Sequence, residues 1–94
     1  MAMDRIEIEV AAIVVDDRKA AYIEGKGVNV RDLLEVHSYR PGYFLRANGR
    51  VNMIGPNRNG RFLVVSIVNN ERDEWRLITT YWNDDGRAQR IYEG

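Results

Sequence analysis

The sequence predicts an α+β fold whose second half is an antiparallel meander, in the order β-α-α-β-β-β-β-α. Three observations lead there. Ile6-Glu7-Ile8-Glu9-Val10 alternates apolar and acidic residues, the period-two pattern of a half-buried strand. Val30, Leu33, Leu34 and His37 fall at i, i+3, i+4 and i+7, one face of a helix. From residue 43 onward, apolar runs alternate with clusters of chain breakers.

Taken in order, the first strand is expected to run on to Val15. Asp16 or Asp17 then caps a short helix from Arg18 to Glu24, with Ala20, Ala21 and Ile23 available to the core. Gly25 and Gly27 bracket Lys26 and end it, glycine being the residue that tolerates a left-handed helix terminus. Asn29 is the N-cap of the second helix, with Asp32 placed to complete a capping box, and Pro41-Gly42 stops that helix. Strands at 43–46 and 50–54 flank Asn48-Gly49, a tight-hairpin signal. Residues 55–60 (Gly-Pro-Asn-Arg-Asn-Gly) form a turn of breakers, and Arg61 to Val68 is apolar on both faces, as a central strand is. A turn at 69–73 leads to a last strand from Glu74 to Trp82, with Trp75, Leu77 and Tyr81 on one face and Arg76, Ile78, Thr80 and Trp82 on the other. Asn83, Asp84 or Asp85 caps a terminal helix through Glu93, weakened by Gly86.

With 94 residues and a 45% apolar composition, the chain 1–94 reads as a single domain with one core. The absence of cysteine excludes disulfides and thiolate metal sites, and one histidine, His37, excludes a histidine cluster. No metal and no cofactor are therefore expected. His37 reads as a partly buried packing residue. Apolar runs fall well short of the ~18 residues that a membrane helix needs, and no signal peptide is visible, so a cytoplasmic location without a membrane partner is expected.

Formal net charge is zero, but its distribution is uneven. Residues 1–39 carry five basic and eight acidic side chains, and residues 40–94 carry nine and six. Between Arg40 and Arg61 there are five arginines and no acid. Arginine is the side chain best shaped for two-pronged contacts with phosphate. Arg46, Arg50 and Arg58, with Trp82 as a stacking platform, are the candidate RNA contacts. A solvated sheet face is the plainer explanation of the same arginines, as a solvated helix end is of Lys26.

No metal motif, phosphate loop, nucleophile elbow or dinucleotide fingerprint occurs. Gly25-Lys26-Gly27 ends a helix instead of opening one. Cleaving RNA without a metal requires positive charge at the scissile phosphate, a base for the 2′-hydroxyl and an acid for the leaving oxygen. Arginine supplies only the first. Lysine and tyrosine serve the others only with shifted pKa values. Arg61 and Arg76 are expected as neighbours if their strands pair through the 69–73 turn.

These residues resemble a family. Lys26-Gly27-Val28 with Val30-Arg31-Asp32-Leu33-Leu34-Glu35-Val36 resembles the "K-H-G-V-x-F-E-E-A-x-x-V" segment of BrnT-type toxins. Arg50, Ile54-Gly55 and Gly60-Arg61-Phe62-Leu63-Val64-Val65 resemble their "E-R…-L-G…-G-R-x-L-V-V" strands. Arg76 to Tyr81 falls where they carry "R-I-I-S-A-R", so that Tyr81 stands in the place of an arginine, and Tyr92-Glu93 matches a terminal "Y-E". The resemblance spans roughly residues 16–93.

It implies a RelE-like fold, a small antiparallel β-sheet (meander) with two N-terminal helices packed on one face and a C-terminal helix, and the toxin of a type II toxin–antitoxin pair, acting as a metal-independent ribonuclease on RNA and neutralised by a cognate antitoxin. It carries Lys26, Arg50, Arg61, Arg76 and Tyr92 over as candidates. Arg61 and Arg76 would clamp phosphate, Lys26 would stabilise developing charge, and Tyr81 or Tyr92 would handle protons or stack bases. The alternative is a non-catalytic RelE-like module that binds protein or nucleic acid. The two-sided apolar strand supports it, because a single helical layer leaves one sheet face for a partner or for a second copy in a homodimer.

Overall fold

The computed structural model describes residues 4–70 and 74–94. Its elements are β1 (Asp4–Ile6), β2 (Ile13–Val14), α1 (Asp17–Glu24), α2 (Val30–Tyr39), β3 (Gly42–Leu45), β4 (Arg50–Pro56), β5 (Phe62–Asn69), β6 (Trp75–Asn83) and α3 (Arg87–Glu93). Six strands form one sheet in the order β1-β3-β4-β5-β6-β2. From β2 onward the elements follow the β-α-α-β-β-β-β-α order that the sequence predicts.

The sheet is mixed, not wholly antiparallel: β3 to β6 form the antiparallel meander, while β2 lies parallel to β6. The single long strand expected over residues 6–15 is two short ones at opposite edges, β1 on β3 and β2 on β6. Residues 7–12 cross the sheet between them. Five interstrand steps of ~4.8 Å make a crossing of roughly 24 Å, and seven extended residue steps of ~3.4 Å reach about as far. The segment is therefore stretched, and it keeps the alternation of a strand without the pairing. Val10 is buried in the core, while Glu7 and Glu9 point to solvent. His37 Nε2 donates to Val10 O at 2.7 Å, since a carbonyl only accepts. The histidine fixes the crossing, the packing role expected of it.

Local signals set the helices. Asp16 caps α1 by accepting from Lys19 N, and Asn29 with Asp32 forms the full capping box of α2. Ile23, Leu33 and Val36 are fully buried on the sheet side. Leu34, expected on that face, is 51% exposed, because the stripe turns through Val36 and His37 instead. In α1 only Ile23 is buried. Gly27, at φ +79°, makes the left-handed exit from α1.

The hairpin at Asn48-Gly49 is a three-residue turn, Ala47–Gly49, closed by Arg46 N to Arg50 O. Both Asn48 and Gly49 have positive φ, as asparagine and glycine permit. The breaker cluster is shorter than expected, since β4 continues to Pro56. Asn57 holds the remaining turn, its side chain accepting from Asn59 N and Arg61 N. Gly55 is needed for close packing: a Cβ there would lie 3.2 Å from both Pro41 Cα and Val36 Cγ1.

Two apolar clusters sit on opposite faces of the sheet. One joins α1 and α2 to Val51, Met53, Leu63, Val65, Ile67 and Leu77. The other joins Ala88 of α3 to Phe44, Ile54, Phe62 and Val64. β5 is central and apolar on both sides because a helix lies over each. The turn expected at 69–73 falls largely outside the described residues. No helix among them is long and apolar enough to cross a membrane.

Candidate nucleic-acid interface

One irregularity decides which side chains face which way. The pairing of β5 with β6 shifts between Ser66 and Ile67: Ser66 faces Thr79, but Ile67 faces Leu77. Ile78 is the extra residue of a β-bulge, and beyond it every side chain changes face. Trp75 and Leu77 lie on the α1/α2 face, joined there by Thr80 and Trp82. Arg76 lies on the α3 face, joined by Thr79, Tyr81 and Asn83. The strict alternation expected for this strand, with Tyr81 beside Trp75, holds only up to the bulge.

α3 covers one end of its face and leaves the other open. Strand register arranges this face in rows, and only the first is open along its length, since Asn52 and Ser66 in the second and Ile54 and Val64 in the third are buried. Arg50, Val68 and Arg76 form one; Asn52, Ser66 and Thr79 the next; Ile54, Val64 and Tyr81 the third. Arg50 and Arg76 flank Val68 from two strands apart, roughly 10 Å between their backbones. Both are exposed, and so is Tyr81, at 42%. No acidic residue occupies this face of β4, β5 or β6.

Lys26 approaches from the β6 edge. Its Nζ donates to Thr79 Oγ1 at 2.9 Å and lies 4.9 Å from the centre of the Tyr22 ring. Hydrogen bonds from Lys26 and then Thr79 lower the Tyr22 phenol below its ordinary pKa, with the Lys26 charge adding to the effect. Lys19 Nζ donates to Ile78 O at 2.8 Å beside the same ring. Two lysines and a tyrosine thus cover a strand edge that β2 is too short to pair, a common protection of exposed edges. Sequence reasoning missed Tyr22. The i, i+4 spacing of Tyr22 and Lys26 was the available signal.

Arg61 and Arg76 are not neighbours. Their strands do pair, but Phe62 faces Asn83 while Arg76 faces Val68, so the two arginines stand at opposite ends, roughly 24 Å apart along the sheet. Arg61 makes a two-pronged pair with Asp84, both contacts 3.0 Å, and lies 4.3 Å from the centre of the Trp82 ring. The hydrogen bond holds Asp84 below its usual pKa and raises that of Arg61. Trp82 donates from Nε1 to Gly27 O and packs on the α1/α2 core, so it faces away from the open surface.

Tyr92 is an anchor. Its hydroxyl donates to Arg40 O at 2.6 Å, its ring meets Phe62 edge-on, and Arg5 lies over it. Of the remaining arginines, Arg58 lies over Tyr39 at the end of α2, together with Arg40. Arg46 is exposed beside the Ala47–Gly49 turn. The acid-free run from Arg40 to Arg61 is thus dispersed over several surfaces. Of the arginines singled out from the sequence, Arg50 and Arg76 share a face, with Lys26 at its edge.

No protein-family model, curated protein or solved structure matches this chain. Among the described residues no group of histidine, cysteine, aspartate and glutamate could hold a metal ion. The fold and site define an α+β chain with a cationic, partly open sheet face.

Proposed function

We propose that this chain is a nucleic-acid-binding module that holds single-stranded RNA along the open end of this sheet face, the non-catalytic reading of its resemblance to BrnT-type toxins. The observation that carries it is the pair Arg50 and Arg76 flanking Val68, on a face where the described residues of β4, β5 and β6 include no acid, and beside the exposed ring of Tyr81. Spaced cations follow a phosphate backbone, and an exposed aromatic ring stacks a base of any identity. A flat sheet suits a single strand, whose bases are free to splay.

Binding is favoured over cleavage because the expected clamp does not converge. Arg61 is occupied by Asp84, Arg76 stands at the far end of the strand, and Tyr92 is tied to Arg40 O. The test is binding of a single-stranded RNA oligomer at several salt concentrations. Arg50→Ala and Arg76→Ala are each expected to weaken binding and to flatten the salt dependence by about 0.7 in log–log slope. Unchanged slopes in both variants would refute the placement.

One observation favours the second reading, a metal-independent endoribonuclease toxin neutralised by a cognate antitoxin. Tyr22, with its lowered pKa, and Lys26 bring a proton carrier and a cation together at the edge of the same face. Under this reading RNA cleavage survives EDTA, Tyr22→Phe abolishes it while binding persists, and expression arrests growth. Turnover in the Tyr22→Phe protein equal to wild type would remove that assignment.

A further inference from the structure

Between α3 and the sheet lies a groove of about 320 Å³. Ile54 and Val64 supply an apolar floor from β4 and β5, and Ala88 supplies the α3 wall. Tyr81 and Asn83 line it from β6, and Arg87 lines it from the first residue of α3. The groove opens onto the same face as Arg50 and Arg76, at the other end of the rows.

We propose that this groove takes one nucleobase of the bound strand, so that the module reads a base as well as following the backbone; the inference rests on the sheet-face reading above. Four features select a planar heterocycle bearing a phosphate. The volume admits a base with its sugar. The Tyr81 ring offers a flat apolar wall, worth as much as a stacking aromatic contributes elsewhere. Asn83 offers an amide edge. Its Oδ1 is already fixed by Ala88 N at 3.1 Å, which turns the amide and commits its oxygen, leaving the Nδ2 hydrogens as the donors for an acceptor on the base. Arg87 is the phosphate partner: its ion pair with Asp85 is long, at 3.4 Å, and both side chains are more than half exposed. Such a pair exchanges readily for a phosphate.

A purely apolar guest fits this lining poorly, since it would strand the Asn83 donors. An acidic peptide would engage Arg87 but has no flat group for the Tyr81 wall. The bulge at Ile78 is what brings Tyr81 to this face. With regular pairing it would lie on the α1/α2 side, and the groove would lose its wall.

The test uses the full chain with isotope-labelled backbone amides, titrated with adenosine 5′-monophosphate and, separately, with ribose 5-phosphate. The nucleotide is expected to shift the amides of Tyr81, Asn83 and Ala88, and ribose 5-phosphate only that of Arg87. A single-stranded oligomer carrying bases is expected to bind about tenfold more tightly than an abasic oligomer of equal length. Tyr81→Ala should abolish that difference and Tyr81→Phe retain it; Tyr81 is exposed, so both variants keep the fold, checked by their thermal transitions.

Equal responses to nucleotide and ribose 5-phosphate, or equal affinity for both oligomers, would overturn the base pocket. If in that case Arg50→Ala and Arg76→Ala still weaken the abasic oligomer, the phosphate path of the sheet-face reading survives without its stacking on Tyr81. If neither oligomer binds but the nucleotide shifts the groove, the sheet-face reading fails and the pocket is a mononucleotide site. If nothing binds, both are wrong.

Discussion

Arg61 and Asp84 face each other through two parallel hydrogen bonds, each 3.0 Å, across the end of the β5–β6 pair. This contact takes out of the anion-binding set the arginine that sequence position favoured most. It also makes a prediction distinct from those for Arg50 and Arg76. Arg61→Ala should leave the salt dependence of RNA binding unchanged, because Arg61 already has its anion. A salt-slope change as large as that of Arg76→Ala would mean that the pair opens to bind phosphate.

The same pair sets a pH dependence. Arg61 depresses the folded-state pKa of Asp84, so the contribution to stability is present above the ordinary carboxylate range. It is lost as pH falls through the depressed folded value. Thermal melts across the acid range should therefore show wild type and Asp84→Asn converging at low pH. Because both side chains are exposed, added salt should shrink the gap at neutral pH. A gap that widens toward low pH would contradict the assignment.

Two tyrosines are shifted in opposite directions. Hydrogen bonds from Lys26 and Thr79 pull Tyr22 down, whereas burial pushes half-buried Tyr43 up. In an alkaline absorbance titration, Tyr22→Phe should remove a phenolate that forms below the ordinary tyrosine range and Tyr43→Phe one that forms above it. Raising pH also removes the share of stability that neutral Tyr43 provides. That share is full below the unfolded tyrosine pKa and disappears as pH passes the raised folded one.

Helix α2 allows a test of register. Leu33 is fully buried and its neighbour Leu34 is half exposed. Leu33→Ala should cost ~2–5 kcal/mol in denaturant unfolding, as buried leucine truncations do, and Leu34→Ala far less. Asn29→Ala, which removes the capping box, should cost ~1 kcal/mol. Equal losses at Leu33 and Leu34 would mean that the helix sits rotated from the position described.

Much of the fold was legible in the sequence because short-range chemistry wrote it. The caps at Asp16 and Asn29, the glycine exits, the Asn48-Gly49 turn and the two-sided central strand all follow from local rules. Long-range relations were not legible. The alternation Ile6, Ile8, Val10 reports which side is buried, and it reads the same in a paired strand and in a stretched crossing. The bulge at Ile78 lies in an unbroken run of strand-forming residues, with no glycine to mark it. It exchanges the faces of Tyr81 and Trp82. Arg61 and Arg76 lie on strands that do pair, but register puts the residue nearest the turn far from the one at the opposite strand end. The candidate site was thus legible in residue type and only partly in place: Lys26, Arg50, Arg76 and Tyr81 share a face or its edge, whereas Arg61, Trp82 and Tyr92 are engaged in holding the fold.

The most direct test of the sheet-face account is amide chemical-shift mapping with a short single-stranded RNA on the labelled full chain. The account predicts that shifts concentrate at Arg50, Val68, Arg76, Thr79 and Tyr81. The exposed surface of α1 and α2 around Arg31 and Leu34 should stay unmoved. Shifts centred on α2, or none at RNA concentrations that saturate ordinary single-strand binders, would contradict it.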